Sequence, residues 1–306
     1  MRGKTMESPP QAKSETKPVA VITGGTEGLG LALARQFAKD GHDLLLVARS
    51  RDKLASAAAE LTQAYGITVE TAAQDLSTEE GRAGVEQALH AKGLHAEFLV
   101  NNAALALGGF FQDGDRQTLL KMIDLNIAAV VDLTRRLMIG MLARGHGRIM
   151  NVSSMTGFQP TPYELNYAAS KAFVTSFSRA LAYECMYTGV TVSALVPGVV
   201  ATDLHGKAGA TYSRYLYMLP VMTPDQVASL GYRAFMRGKK IVIPGIRNKL
   251  LRILGHFTPN FVLVPFMGML FRVLGEDGIA LPPGPIPGKD DGSQVDSQSR
   301  EKENAG

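Results

Sequence analysis

The sequence predicts an α/β protein whose main domain is a doubly wound parallel sheet, and three observations predict it. Short apolar runs of the kind that form buried strands alternate with longer helical patterns. A glycine-rich turn joins the first apolar run to the first helical pattern. The chain has 306 residues and is 45% hydrophobic, so it can bury a full core. Alternation of this kind places parallel strands between two layers of helices.

The strands and helices follow in order from the first apolar run. Short apolar runs bounded by turn residues predict strands at Val19–Thr23, Asp43–Ala48, Thr68–Ala72, Phe98–Asn101, Arg148–Val152, Thr191–Val196 and Lys240–Ile243. Apolar positions at helical spacing predict helices at Leu29–Lys39, Arg51–Tyr65, 116–144, 161–188 and 224–237. The last helix has the clearest start, because Thr223 can cap it, Pro224 suits its first position and Gln226 closes a capping box.

Composition divides the chain into four parts. Residues 18–245 hold the strand and helix patterns, and residues 246–281 form an apolar extension. Residues 1–17 and 282–306 are polar or rich in proline and glycine, so we expect both to be disordered. Because the N-terminal part lacks the apolar segment of a signal peptide, we expect a cytoplasmic protein.

Charge and potential ligands exclude some classes of protein. The net charge of +4 and the pI near 9.1 are mildly basic, but no run of five Lys or Arg occurs, so we expect no nucleic-acid binding. Cys185 is the single cysteine, which rules out an intrachain disulfide and predicts a buried thiol. The six histidines show no paired ligand spacing, so we expect no metal.

The apolar extension contains a long uncharged segment. Nineteen residues from Ile253 to Phe271 carry no Asp, Glu, Lys or Arg, and Arg252 and Arg272 flank them. The length just reaches that of a membrane span, but Pro259 and Pro265 would interrupt a single helix. Peripheral membrane contact by a basic, apolar hairpin is a second interpretation. A pocket wall or a subunit contact is the third.

The glycine-rich turn Thr23-Gly24-Gly25-Thr26-Glu27-Gly28-Leu29-Gly30 lies between the first predicted strand and the first predicted helix. Glycines there let the backbone approach a pyrophosphate, and the helix N-terminus supplies N–H donors and a favourable dipole. The turn therefore predicts a dinucleotide site. The alternative is that the glycines serve only the freedom of the backbone.

Arg49 and Ser50 follow the second predicted strand, where NAD-binding proteins carry an acidic residue for the ribose hydroxyls. A guanidinium at this position suits a 2′-phosphate, so NADP(H) is favoured over NAD(H). Glu27, in the glycine turn, would oppose that phosphate. A solvated arginine that begins the next helix is the alternative.

Tyr167 and Lys171 stand four residues apart, a spacing that places both side chains on one face of a helix. A phenol has an ordinary pKa of about 10, and a nearby ammonium group lowers that pKa because it favours the phenolate. The pair is therefore a candidate proton donor near neutral pH. A plain surface contact is the alternative.

These features and further motifs in chain order resemble the short-chain dehydrogenase/reductase family, and the resemblance implies a Rossmann-type fold over about residues 18–245. The matching segments are Thr23–Gly30, Asp75-Leu76, Asn101–Ala104, Leu125-Asn126, Asn151–Ser154, Tyr167–Lys171 and Pro197–Thr202. Ala104 departs from the pattern, because it stands where the family has a glycine. The run Ala48–Leu54 is similar to the branch of 3-oxoacyl reductases and 17β-hydroxysteroid dehydrogenases.

The resemblance implies roles for individual residues. Tyr167 is the general acid/base, Lys171 lowers its pKa and anchors the ribose, and Asn126 holds a water in a proton relay. The family serine lies thirteen residues before the tyrosine, which selects Ser154 over Ser153. The implied cofactor contacts are Gly24, Thr26, Gly28, Leu29, Gly30, Arg49, Ser50, Asp75, Leu76, Asn102, Ala103, Tyr167, Lys171, Pro197, Gly198, Val200 and Thr202.

The implied activity is hydride transfer between NADP(H) and a hydrophobic carbonyl or alcohol. The segment Asp203–Val221, a substrate lid in this family, is rich in tyrosine and suits such a substrate, or it packs on the sheet. A non-catalytic dinucleotide sensor and an epimerase or dehydratase are the alternative classes. The resemblance also implies a homodimer or homotetramer, in which helix 161–188 packs against its twin.

Overall fold

A computed structural model describes residues 16–203 and 214–274. The strands are β1 (Lys17–Thr23), β2 (Leu44–Ala48), β3 (Val69–Ala73), β4 (Leu94–Asn101), β5 (Gly147–Val152), β6 (Val190–Leu195), β7 (Val199–Val200), β8 (Val221–Met222) and β9 (Ile241–Val242). Seven of them form one sheet in the order β3-β2-β1-β4-β5-β6-β9, and all neighbouring strands in this sheet are parallel. The doubly wound prediction is confirmed.

Helices cover both faces of this sheet. They are α1 (Gly28–Lys39), α2 (Arg51–Tyr65), α3 (Glu79–Ala91), α4 (Arg116–Ile123), α5 (Ala129–Arg144), α6 (Leu165–Glu184), α7 (Tyr215–Met218), α8 (Pro224–Met236), α9 (Ile246–Phe257) and α10 (Asn260–Phe271). A π-helical turn, Asp124–Ala128, joins α4 to α5, and 3-10 turns lie at Phe111–Asp113 and Met155–Phe158. Strand order reverses between β1 and β4, so a ligand crevice is expected at the carboxyl ends of those strands.

Side chains alternate between the two faces of the sheet along each strand, and each face packs into its own hydrophobic core. On β1, Ile22 packs into the core under α1, α2 and α8, whereas Val21 packs into the core under α3, α5 and α6. Both side chains are fully buried, and each contributes about 1.5–3 kcal/mol of transfer free energy. Strands that bury both faces read as continuous apolar runs, which is why the sequence shows them so clearly.

Helix α3 is the one long element of the domain that the sequence pattern does not predict. Its two glycines, Gly81 and Gly84, lower helix propensity by about 1 kcal/mol each. Gly81 is needed, since a Cβ there would overlap the Asp75 carbonyl oxygen, whereas a Cβ on Gly84 would displace the Gln74 side chain. The Thr78 hydroxyl accepts a hydrogen bond from the Gly81 N–H at 3.0 Å and fixes the start of the helix.

Local geometry explains where two of the predicted helices begin. The capping box of Thr223 and Gln226 at α8 is present, with both hydrogen bonds formed. Helix α6 begins at Leu165 instead of residue 161, because Pro162 and Tyr163 form a turn in which Tyr163 has a φ of +68°. Cys185 is buried, as predicted.

The described residues include most of the predicted domain and most of the apolar extension. Strand β1 begins at Lys17, one residue before the predicted start of the domain. Residues 1–15 and 275–306, which include both predicted disordered tails apart from residues 16 and 17, lie outside the described residues. The described part of the apolar extension forms two helices, α9 and α10. Among the helices of the described ranges, none has the length and apolar character needed to cross a bilayer.

Candidate active site

The glycine turn between β1 and α1 has the geometry of a phosphate-binding loop. Gly24 and Gly28 have φ values of +65° and +55°, which side chains rarely tolerate. A Cβ on Gly30 would overlap the Gly24 carbonyl oxygen. The N-cap residue of α1, Glu27, makes no side-chain capping hydrogen bond, so the first N–H groups of the helix are left for another acceptor. This turn fits a pyrophosphate.

A hydrogen-bonded clamp holds the turn against the end of β4. The Thr23 hydroxyl oxygen accepts hydrogen bonds from the N–H groups of Asn102 and Ala103 at 2.9 and 3.0 Å. In return, the Asn102 amide donates to the carbonyl oxygens of Thr23 and Gly24 at 3.0 and 3.3 Å. Ala104 does not have a positive φ, since Tyr163 is the only non-glycine described residue that does. The missing family glycine therefore does not strain this loop.

Arg49 and Ser50 lie at the carboxyl end of β2, as predicted, and both line the same cavity as the glycine turn. The Ser50 hydroxyl caps α2 by accepting from the Lys53 N–H at 3.3 Å. Lys53 also forms an ion pair with Glu27, with Nζ and Oε2 2.7 Å apart, and this hydrogen bond raises the pKa of Lys53. The carboxylate expected to oppose a 2′-phosphate is thus balanced by a lysine that the sequence pattern did not single out.

Asp75 and Leu76 follow β3 and also line the cavity. The Asp75 carboxylate accepts hydrogen bonds from the Ser77 hydroxyl at 2.7 Å and from Lys121 Nζ, on α4, at 2.9 Å. Partial burial alone would raise its pKa, but the bonds from Ser77 and Lys121 lower it to about 2. Asp75 is therefore ionised and fixed in position before any ligand binds.

Tyr167, Lys171 and Ser154 meet at the carboxyl end of β5. The Lys171 ammonium group donates to the Val152 carbonyl oxygen at 2.9 Å and lies 5.6 Å from the centroid of the Tyr167 ring. The hydroxyls of Ser154 and Tyr167 form a hydrogen bond. Ser153 points elsewhere, because its hydroxyl bonds the Lys171 carbonyl oxygen at 2.8 Å and the Thr175 hydroxyl at 2.6 Å. Ser154 is thus the serine beside the tyrosine.

The electrostatics of this group differ from the expectation. Burial raises the pKa of Tyr167, the charge of Glu164 raises it further, and the bond to Ser154 only partly opposes them. The lowering expected from Lys171 does not outweigh burial and the charge of Glu164. Burial in turn lowers the pKa of Lys171 to about 8.

The sequence pattern did not single out Glu164, and it placed Tyr215 only within the tyrosine-rich predicted lid. Glu164 is 6% exposed, lies three residues before Tyr167 and forms a hydrogen bond with the Tyr215 hydroxyl. Burial raises the pKa of Glu164 to about 7, although that hydrogen bond partly lowers it. Tyr215 lies on α7 and stacks on Phe271 of α10, with ring centroids 4.4 Å apart. The one available signal was an acidic residue in the otherwise uncharged segment before Tyr167.

Asn126 is buried beside α6, and its role in a proton relay stays a prediction. It lies in the π-helical turn and is buried, and it is absent from the cavity wall. Its amide nitrogen donates to the Leu105 carbonyl oxygen at 2.8 Å and to the Ser170 hydroxyl at 3.1 Å, and its oxygen accepts from the Leu105 N–H at 2.9 Å. Both amide protons are thereby used. The side chain ties the loop after β4 to α6, and a water-holding role would have to use its backbone.

The segment after β6 brings four predicted contacts to the cavity, which are Pro197, Gly198, Val200 and Thr202. Gly198 is required, since a Cβ there would lie 2.6 Å from the oxygen of the buried Asn248 side chain. Thr202 reaches the glycine turn, where its methyl group lies 3.3 Å from the position of a Cβ on Gly28. Of the predicted lid, residues 204–213 with Tyr212 lie outside the described ranges. Tyr215 is buried in a cluster with α10, whereas Tyr217 is exposed.

One cavity of about 1180 Å³ connects these groups. All the predicted cofactor contacts line it, together with Ser154. Its far end is apolar and is walled by α7, α9 and α10, through residues that include Leu254, Val262, Phe266 and Met267. The volume exceeds the usual range of about 300–1,000 Å³ for a single small-ligand pocket. It therefore has room for a dinucleotide and a second, apolar ligand. No cluster of three or more His, Cys, Asp or Glu that could hold a metal occurs in the described ranges.

Comparison with known proteins gives matches at several levels. The profile of the short chain dehydrogenase family matches residues 18–213. A very-long-chain 3-oxoacyl-CoA reductase of Anas platyrhynchos is 39% identical over 194 residues, a match that covers 60% of this chain and 60% of the relative. The hydroxysteroid dehydrogenase-like protein 1 of Gallus gallus is 34% identical over 264 residues, which covers 85% of this chain and 78% of the relative. The chain therefore matches less than two thirds of the length of the first of these.

Solved structures share the fold. A short-chain dehydrogenase from Sphingobium yanoikuyae, determined in complex with NADPH, superposes with a TM-score of 0.69 at 30% identity, covering 79% of this chain and 96% of that one.

Proposed function

Because this chain belongs to the short-chain dehydrogenase/reductase family, in the branch of the 3-oxoacyl reductases and hydroxysteroid dehydrogenases, we propose that it is an NADP(H)-dependent oxidoreductase that interconverts a hydrophobic ketone or aldehyde and its alcohol. One observation carries the proposal. A single cavity joins the phosphate-binding turn, the Ser154–Tyr167 hydroxyl pair and an apolar chamber. The names of the relatives, which concern 3-oxoacyl-CoA and hydroxysteroids, support a carbonyl substrate with a large apolar part.

The residues of the chain supply binding, orientation and a proton. The bound nicotinamide would supply or accept the hydride. The Ser154 and Tyr167 hydroxyls would both donate to the carbonyl oxygen, which orients the substrate and stabilises the charge that develops there. Tyr167 would then transfer its proton to that oxygen. Its raised pKa keeps the phenol protonated at neutral pH, which favours reduction of the carbonyl.

NADP(H) is the proposed cofactor because of the charges near the end of β2. Arg49 lines the cavity and has no ion pair among the described residues. Glu27 is balanced by Lys53 at 2.7 Å, which removes the main objection to a phosphate at this point. The structural relative from Sphingobium yanoikuyae was solved with NADPH.

The proposed function is tested by NADPH oxidation with aliphatic ketones and 3-oxo thioesters of increasing chain length. We expect kcat/KM to rise with chain length and then level off once the apolar chamber is filled, since each buried methylene contributes about 0.8 kcal/mol. Parallel assays with NADH control for cofactor choice. Tight NADPH binding without turnover of any carbonyl compound would instead support the dinucleotide sensor.

Replacing Glu164 with Gln is expected to move the alkaline limit of the reaction to lower pH. The Glu164 carboxylate raises the pKa of Tyr167, so its removal makes the phenol more acidic. The two enzymes should behave alike well below pH 7, where Glu164 is protonated, and diverge above it, because the pKa of Glu164 is about 7. The measurement is the pH profile of kcat for carbonyl reduction, which needs the protonated phenol and therefore falls at high pH.

Glu164→Asp retains the charge and serves as the matched control, so its profile should stay close to that of the parent enzyme. Identical profiles for the parent and Glu164→Gln would show that Glu164 serves only to hold Tyr215.

A further inference from the structure

Helices α9 and α10 present an apolar surface that the described residues do not cover. On α9, exposed apolar side chains recur at helical spacing and form one stripe, made of Ile246, Leu250, Ile253, Leu254 and Phe257. On α10, Met267, Leu270 and Phe271 pack inward against α7, whereas Phe261, Val262, Phe266 and Met269 face outward. With Leu251, these side chains make up ten of the 24 large hydrophobic residues that are exposed in the described ranges, and they lie in only two helices. A concentration of this kind marks an interaction surface. We call these ten residues the α9–α10 face.

The charged residues of α9, α10 and their flanks are all basic. Residues 246–274 contain Arg247, Lys249, Arg252 and Arg272 and no acidic residue. The Arg252 guanidinium lies over the Phe158 ring, 4.6 Å from its centroid, and is thereby held against the domain. Arg247 and Lys249 are exposed and have no ion pair among the described residues. An apolar face flanked by exposed basic residues is complementary to a bilayer surface that contains anionic lipid.

The α9–α10 face is also continuous with the proposed active site. Leu251, Leu254, Val262 and Phe266 belong to the face and line the apolar end of the cavity at the same time. The cavity therefore opens where the exposed apolar surface lies. If the face binds a lipid bilayer, the opening of the cavity lies against the bilayer, in which hydrophobic carbonyl compounds dissolve.

A second copy of the chain fits the face less well. A twofold contact brings each surface against itself. Arg247 and Lys249 would then approach a surface whose charged residues are all basic, which leaves them without a compensating charge and is destabilising. The twin contact implied by the family resemblance lies elsewhere, on α6, where Leu165 and Phe173 are exposed. A dimer formed there would not involve α9 or α10.

We propose that the α9–α10 face docks on the surface of a lipid bilayer that contains anionic lipid, with both helices lying in the interface, and that substrate enters the cavity from that bilayer. The docking is inferred from the α9–α10 face alone, whereas the entry of substrate from the bilayer rests on the proposed function.

The test is sedimentation of the full chain with vesicles of phosphatidylcholine, with and without phosphatidylglycerol. We expect binding to vesicles that contain phosphatidylglycerol, and weaker binding when salt is raised. Phe257→Glu and Phe261→Glu should each weaken it about tenfold or more, because burial of one aromatic side chain contributes about 1.5–3 kcal/mol. These two residues are 79% and 80% exposed and do not line the cavity, so the fold and the turnover of a short, water-soluble ketone should be unchanged.

Tyr187→Glu is the matched control, because Tyr187 is fully exposed and precedes β6. It therefore lies at the amino-terminal ends of the strands, whereas the cavity lies at their carboxyl ends. It should bind vesicles like the parent protein. The proposal is overturned if the parent protein does not sediment with anionic vesicles, or if Phe261→Glu binds as the parent does. It is also overturned if Phe261→Glu dissociates an oligomer, measured by light scattering, since the face would then be a contact between copies. Vesicle binding needs no turnover, so a wrong proposed function would leave the docking result intact.

Discussion

Replacement of Tyr167 with Phe is expected to lower kcat for carbonyl reduction by about 10³-fold or more, while NADPH still binds. The substitution removes the proton donor, which accounts for about 10²–10⁴-fold in rate, and one of the two hydrogen bonds to the developing oxyanion. The ring itself remains, so the contact with Lys171, 5.6 Å from its centroid, is preserved. The measurements are steady-state NADPH oxidation and a titration of the enhanced fluorescence of bound NADPH.

Tyr183→Phe supplies the control for this prediction. Tyr183 lies on the same helix, α6, but is largely exposed and absent from the cavity wall. It should leave both kcat and NADPH affinity unchanged. If Tyr167→Phe kept substantial turnover, proton transfer would have to come from another group, and Tyr215, which also lines the cavity, would be the next candidate.

Features that depend on local spacing were predictable from the sequence. The central strands of the main sheet are buried on both faces and read as apolar runs, and segments for all seven strands were predicted. The distance of four residues between Tyr167 and Lys171 fixes their common helix face, and the glycine turn lies directly between β1 and α1. In each case neighbouring residues in the chain determine the geometry, so no tertiary information was needed.

Features that depend on distant contacts were not predictable in this way. Glu164 and Tyr215 lie 51 positions apart in the sequence, and only the fold brings the carboxyl to the phenol. Desolvation is also invisible in a sequence, which is why the pKa of Tyr167 was expected to fall and is raised instead. The partners of Asn126 are a third example, since only the fold shows that its amide group bonds Leu105 and Ser170.

The second large effect is expected from Arg49→Asp, which should reverse the cofactor preference from NADPH towards NADH. A charge-assisted hydrogen bond is worth about 1.5–3 kcal/mol, and the new carboxylate would also repel a 2′-phosphate. We therefore expect kcat/KM for NADPH to fall by about 100-fold or more. The value for NADH should fall little or rise, since an acidic residue at this position can accept hydrogen bonds from the ribose hydroxyls.

Arg51→Asp separates a specific contact from a general change of charge. Arg51 is exposed two residues further on, at the start of α2, and does not line the cavity. The same change of charge there should alter kcat/KM for NADPH only slightly, and less still as salt is raised. Equal effects of both substitutions would mean that only the net charge near β2 matters. An unchanged preference in Arg49→Asp would identify Arg49 as a solvated side chain and would leave Lys53, now paired with Glu27 at 2.7 Å, as the remaining cation near the phosphate position.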